Sequence, residues 1–319
     1  LSSLSKLIQN ENMKIYRRPR TWVMIGFLLL TVALLSGIMK WDESKMDLNN
    51  WEQALSQENE QFQQELTSNK ELDAQQTTYL SNQIKLNQYY LDSGINPNDL
   101  SLWDHVNSSV NLTMLVTLLT VIIAADMIAA EFSWGTIKLL LVGPASRTKI
   151  MASKYIATMG FALLLLVICF AAAFAAGGIL EGFNSVSQPL VTIDAADSSI
   201  QESSMIVNAL QKYGFAVISL IMYVTMAFMI SAAFRSTSMA IAFSLLFMLV
   251  GNTLTAILSS YSWVKYLLFA NIDLTQYLDG AEPLRPEMTL SFSILILVAY
   301  YALFQFTAWL LFTKRDVAA

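Results

Sequence analysis

Six stretches of this 319-residue chain, at 21–39, 106–125, 155–180, 213–234, 236–264 and 288–313, contain no charged side chain. A helix needs roughly 20 such residues to cross a hydrocarbon core about 30 Å thick, so each reads as a membrane-spanning helix. Soluble domains carry about a quarter charged residues. Here 13% are charged and 55% hydrophobic, so lipid is the natural solvent. The fold class that follows is an all-α integral membrane protein of six transmembrane helices. The first stretch is read as a span and not as a cleavable leader. An amphipathic segment, 1–20, precedes it, and Met39-Lys40-Trp41-Asp42 offers no small-residue cleavage site.

The net charge of -5 conceals a segregation of charge. With the N-terminus inside, the cytoplasmic segments hold Lys6, Lys14, Arg17, Arg18, Arg20, Lys138, Arg147, Lys149, Lys154, Arg235, Lys314 and Arg315. Against these twelve bases stand four acids, Glu11, Asp126, Glu131 and Asp316. The other twenty carboxylates fall outside. Cytoplasmic segments near a membrane carry the lysine and arginine excess, so both termini are expected in the cytoplasm of a cell whose plasma membrane the chain crosses.

The chain then divides into an interfacial helix (1–20), spans at 21–40, 106–130, 150–180, 213–234, 236–260 and 288–313, and a short tail (314–319). Between the spans lie an extracellular helical segment (41–105), a cytoplasmic loop (131–149), an extracellular loop (181–212) and an outer element (261–287). In the first segment Leu1, Leu4, Ile8 and Ile15 lie near one face and Pro19 ends the run, which suits a helix on the inner leaflet, with a frayed basic tail as the alternative. Segment 41–105 shows two helical stripes, Trp51/Leu55/Phe62/Leu66 and Leu80/Ile84/Leu91, and reads as a hairpin turning at 67–73. It serves equally as a spacer or a substrate gate. The aromatic segment 261–287 is read as short re-entrant or interfacial helices, or as an amphipathic loop.

The cytoplasmic loop carries the most information. Trp134, Ile137 and Leu141 lie at helical spacing, Gly143-Pro144 stops the helix, and Ser146 can cap the next one before Arg147 and Lys149. Such a helix presents apolar knobs to the cytoplasm, although a membrane-surface linker would show the same period. Glu131 is taken as a partly exposed charge, so its replacement by glutamine is expected to be mild.

The chemistry that is missing narrows the function. No glycine is followed by lysine, so there is no phosphate-binding loop and no ATP hydrolysis by that machinery. One histidine, His105, and one cysteine, Cys169, make neither a metal site nor a catalytic pair; they read as an interfacial residue and a small core residue. Asp126 is the one carboxylate near a span interior, and its ordinary reading is an interfacial capping or hydrogen-bonding group. The chain is therefore not expected to be an enzyme or to bind metal, cofactor or nucleic acid.

The segment AAEFSWGTIKLLLVGPASRTKIMASKY resembles the loop after the second span of bacterial type-2 ATP-binding-cassette permeases. Glu131, Phe132, Trp134, Gly135, Thr136, Pro144, Ser146 and Arg147 match that family's pattern, and the order of segments matches over the whole chain. The resemblance implies a type-2 exporter fold in which 131–142 is a coupling helix seated on a separate ATPase subunit. Its contact residues would be Glu131, Phe132, Trp134, Gly135, Ile137, Lys138, Leu141 and Arg147. It also implies a second permease chain, ATP and magnesium used by the partner, and an exported drug, antimicrobial peptide or lipid-like substrate, with antibiotic resistance or immunity as the setting. An ion-coupled carrier or channel, or a membrane sensor or assembly protein, are the competing classes.

Overall fold

The computed structural model describes residues 3–46, 48–69, 73–142, 145–183, 189–193, 198–278 and 283–314. Within them six helices are long and apolar enough to cross a membrane: Pro19–Glu43 (α2), Leu102–Ser133, Arg147–Glu181 (α8), Met205–Ala233 (α9), Thr237–Ile257 (α10) and Leu290–Lys314 (α12). The second comprises α5 (Leu102–Ser109) and α6 (Thr113–Ser133), joined by one 3-10 turn at Val110–Leu112. An even number of crossings brings the chain back to its starting side. Helix α1 (Leu4–Tyr16), α7 (Ile137–Val142) and the end of α12 therefore share one face, the terminal face.

The opposite, distal face carries the expected helical hairpin, α3 (Trp51–Ser68) and α4 (Ala74–Ser93). Leu55 and Leu80 are buried in it, and Asn87 Nδ2 donates to Asn59 Oδ1 at 3.0 Å across the seam. Asp73 and Gln76 cap α4 reciprocally, and Gly94 ends it at φ +64°, a conformation that favours glycine. The segment after span five folds into short helical turns, Ser262–Tyr266, α11 (Leu268–Asn271) and Leu274–Tyr277. Fully buried Asn271 ties them to α12 by accepting from Ser293 Oγ at 2.7 Å.

Three boundaries differ from the sequence reading. The second span starts at Leu102, because Asp104 accepts from Ser101 N and Oγ, both at 2.7 Å, and so caps a helix in a stretch assigned to the extracellular helical segment 41–105. The fifth helix stops at Ile257, where a turn at 258–260 presents the Ser259 carbonyl to Arg285 Nη1 at 3.0 Å. The expected loop at 181–212 contains an antiparallel pair, β1 (Pro189–Ile193) and β2 (Ile200–Ser204), and α9 begins directly after it. Val191, Thr192 and Ile193 supply the β-branched run that favours a strand.

Helices α6 and α9 form the middle of the bundle, with 67% and 61% of their apolar windows buried against 17% for α2 and α12. The outer pair instead presents Val23, Leu30, Leu295 and Val298 to lipid. Lipid chains are as apolar as leucine, so helices associate through close approach and polar bonds rather than hydrophobic pressure. Both occur here. Ser231 Oγ on α9 accepts from Ile128 N and Ala129 N of α6 at 3.0 Å each, Tyr155 Oη meets Thr225 Oγ1 at 2.8 Å, and Ser109 Oγ meets Tyr213 Oη at 2.6 Å. Where α5 crosses α8, a Cβ on Gly177 would stand 2.8 Å from the Leu102 carbonyl oxygen, whereas nothing lies within 4 Å of one on Gly160.

Replacing Gly177 with alanine must therefore push α5 and α8 apart and is expected to cost about 1–3 kcal/mol. Thermal unfolding in detergent should show a lowered Tm for Gly177→Ala and none for Gly160→Ala. Equal behaviour of the two would refute the close crossing.

Candidate functional site

The terminal face is organised by a lysine that the sequence reading left among the cytoplasmic bases. Lys154, one turn into the apolar part of α8, is 1% exposed. Its Nζ lies 3.0 Å from Glu11 Oε2 on α1 and 2.9 Å from Glu131 Oε1 on α6. Lys14 closes the figure, 3.0 Å from Glu11 Oε1 and 2.9 Å from Glu131 Oε1. Two ammonium and two carboxylate groups thus form a neutral ring of four ion pairs joining α1, α6 and α8. Burial pulls the Lys14 pKa down, but the hydrogen bonds and charges of Glu131 and Glu11 outweigh it and hold the group above its ordinary value. A raised lysine stays charged at neutral pH and loses its contribution only as pH climbs through the folded value.

Beside the ring, buried Asp126 receives both Arg18 and Arg20, from the α1–α2 link and the start of α2. This bears out a hydrogen-bonding role for Asp126 and adds two specific partners. The Arg18 guanidinium also lies 4.8 Å from the ring centroid of Trp134. The amphipathic α1 is therefore fixed to the bundle through buried Glu11 and Ile15, while Leu4 stays exposed.

The loop between α6 and α8 is not the single helix expected over 131–142. Glu131 belongs to the last turn of α6, and Gly135, at φ +72°, ends that helix in the left-handed region. Thr136 Oγ1 then donates to Glu131 Oε2 at 2.5 Å, and α7 starts at Ile137. The break divides the anticipated ridge. Trp134 is exposed, Ile137 is 4% exposed and packs into the core, and the Leu141 side chain and Gly143-Pro144 lie outside the described atoms. What α7 turns outward is Leu139 and Val142, 79% and 88% exposed, with Lys138 beside them. Phe132 is half-buried. Ser146 caps α8 by accepting from Lys149 N at 3.4 Å, as its sequence position suggests, and Arg147 Nη1 donates to the Thr313 carbonyl at the end of α12 at 2.8 Å.

A second cluster sits on the distal face. Lys40 bridges Glu43 and Glu181 at 2.5 and 2.7 Å, His105 Nε2 is 3.0 Å from Glu181 Oε1, and Glu43 Oε1 accepts from Leu100 N at 3.1 Å. His105 is 1% exposed, so it is a buried anchor between α5 and α8 instead of the interfacial residue expected. Cys169 is buried, as a small core residue should be.

This arrangement of crossing helices defines a multi-pass, all-α membrane protein. The chain belongs to the family described as protein of unknown function (DUF2705), which matches residues 72–318. It is 39% identical over 316 residues to the uncharacterized protein YhcI of Bacillus subtilis (strain 168), a match spanning 98% of this chain and 99% of that protein. It is also similar to the uncharacterized membrane protein YdbK of the same organism, 29% identical over 215 residues, 67% of this chain and 82% of YdbK.

With Glu131 only 7% exposed, the mild effect expected of Glu131→Gln no longer follows, because the change would unbalance buried Lys154. Removing one member of a buried pair costs about 3–5 kcal/mol, far above the ~0–1 kcal/mol of a surface pair. Lys154→Met should destabilise by that larger amount, and Lys14→Met, whose side chain is 35% exposed, by clearly less. In the double variant Lys154→Met/Glu131→Gln part of the loss should return. Tryptophan-monitored melting in detergent reads all three, and strictly additive losses would break the ring.

Proposed function

We propose that this protein is the membrane-spanning subunit of an ATP-driven exporter of the type-2 ATP-binding-cassette class, moved by a separate nucleotide-hydrolysing subunit and paired with a second permease chain. The observation that supports this reading is α7. A short helix is clamped to the bundle by buried Ile137 and by the Thr136–Glu131 bond, yet it turns Leu139 and Val142 outward on a face rich in bases. A helix-in-groove contact draws most of its energy from a few such apolar anchors. The coupling surface is accordingly Trp134, Lys138, Leu139 and Val142, with Glu131, Gly135 and Ile137 positioning it from beneath. A motor whose nucleotide states grip this surface differently would shift the spans between conformations.

The carrier alternative wants an ion-binding carboxylate near the bilayer midplane. Among the described residues, the carboxylates of the spans lie towards the helix ends. Asp126, Glu131, Glu43 and Glu181 are held there by basic partners. The excess of bases on the terminal face supports a cytoplasmic side for it, with the spans crossing a bacterial plasma membrane. Drugs, antimicrobial peptides or lipid-like molecules are the substrate class.

Two measurements test this reading. The isolated chain should hydrolyse no ATP, and a co-expressed subunit carrying a phosphate-binding loop should copurify with it. Trp134→Ala/Leu139→Ala/Val142→Ala should weaken that association by roughly 30-fold or more, about 2 kcal/mol for a lost anchor, without lowering the Tm. Ile137→Ala should mainly lower the Tm. Undiminished copurification and export by the triple variant would sink the coupling assignment. For orientation, a cysteine at exposed Tyr79 in a Cys169→Ala background should react with an impermeant thiol reagent added to intact cells, and one at exposed Thr148 should not.

A further inference from the structure

On the distal side of the bundle, α6, α9, α10 and the short helices after α10 enclose a cleft of about 390 Å³. That lies within the ~300–1,000 Å³ of small-molecule sites. At its mouth stand Lys212 near the start of α9 and Asp273 beside the 3-10 turn Leu274–Tyr277. Asp273 Oδ1 accepts from Thr275 N at 3.0 Å and from Thr275 Oγ1 at 2.6 Å, while its Oδ2 has no hydrogen-bond partner among the described residues. Asn111 is exposed at the same level and makes no side-chain hydrogen bond among the described residues.

Deeper in the cleft, Asn252 Nδ2 donates to Tyr223 Oη at 3.1 Å, with Met248 beside them. Asn252 lies five residues before the end of α10, about 7.5 Å along a helix rising 1.5 Å per residue, and is exposed there. An exposed amide at that depth is costly against acyl chains. Tyr223 and the Met248 carbonyl, 3.5 Å from Asn252 Nδ2, satisfy part of that amide, and an occupant with polar atoms below the headgroup level suits the rest better than an acyl chain. From mouth to base the lining runs from a carboxylate and an ammonium, through amide and phenol groups, to methionine. A phospholipid with a zwitterionic head runs through the same order: ammonium and phosphate, ester carbonyls, hydrocarbon.

We propose that this cleft binds the head and glycerol segment of a phosphoethanolamine-headed lipid from the leaflet on the distal face. Asp273 takes the ammonium, Lys212 faces the phosphate, and the Asn111 amide and the Tyr223 hydroxyl, which Asn252 holds in place, reach the ester carbonyls. A primary ammonium has N–H groups to donate to Asp273. The quaternary ammonium of phosphatidylcholine has none, and the head of phosphatidylglycerol offers no cation. The assignment depends on the chain spanning a membrane and is independent of whether it exports anything.

The test is native mass spectrometry of the full-length chain in detergent, without any motor subunit, after exchange with dioleoyl phosphatidylethanolamine, phosphatidylcholine or phosphatidylglycerol. The ethanolamine lipid should be retained about fivefold more than either other lipid, the size of one net hydrogen bond. Asp273→Asn should bring that preference close to parity. Its amide oxygen still accepts the Thr275 hydrogen bonds, so the mouth keeps its shape. Asp92→Asn, in α4, should leave the preference unchanged, and Asn252→Leu should lower retention of all three lipids severalfold. Equal retention by the unaltered chain, or a preference that survives in Asp273→Asn, would overturn the proposal. Should Asp273→Asn melt early, retention undiminished in Asn252→Leu would overturn it as well.

Discussion

An ammonium group buried at the end of a membrane-spanning helix can be kept there only by carboxylates, because an unpaired charge in that setting costs several kcal/mol. Lys154 imposes this condition, and much of the terminal face follows from it. Glu11 must reach α8, which lays α1 against the bundle. Glu131 must reach it too, which sets the rotation of the last turn of α6. Two carboxylates around one ammonium need a second cation, which Lys14 supplies. The other oxygen of Glu131 is then free for Thr136, and that bond fixes the point where α7 begins. The loop is an extension of the buried ring, and its position depends on the ring staying neutral.

What could be seen in the sequence and what could not divides along a physical line. The spans and the α3–α4 hairpin were legible because composition and the helical period are local properties. Each of the six helices coincides over most of its apolar length with the charge-free stretch that announces it. Partners were not legible. Lys154 lies 143 residues from Glu11 in the chain and 23 from Glu131, and separations of that kind leave no period to detect. His105 looked interfacial for the same reason, since its burial depends on Glu181 and the close crossing at Gly177. The ridge over Trp134, Ile137 and Leu141 failed at one residue. Continuous helical spacing assumes right-handed backbone throughout, and Gly135 at φ +72° breaks it. A glycine between an aromatic and a β-branched pair was the available signal. The β1–β2 pair was missed because two five-residue strands, the second of them polar, carry little pattern beyond their β-branched residues.

The two charge clusters also determine which helices can move. Lys154 and Glu181 stand near opposite ends of α8, 27 residues or about 40 Å apart by helical rise, so this helix is held at both faces. Through those clusters α1, α2 and α6 are joined to it by ion pairs, and α5 by the contact of His105 with Glu181. Helix α10 is held differently. It carries no charged residue, and it meets its neighbours through neutral bonds: Thr237 N donates to Ser133 Oγ at 3.0 Å on the terminal face, and Asn252 pairs with Tyr223 on the distal one. Neutral hydrogen bonds contribute about 1 kcal/mol each where buried ion pairs resist removal by several, so displacing α10 costs less than displacing a helix of the ionic frame. Ser133, one bond from the start of α10, is also the last residue of α6 before the α7 loop. Asn252, at the other end of α10, forms part of the distal cleft. Helix α10 lies outside that ionic frame and touches both the outward-turned loop and the cleft, so a shift of α10 would alter the two together while the ring around Lys154 stays closed.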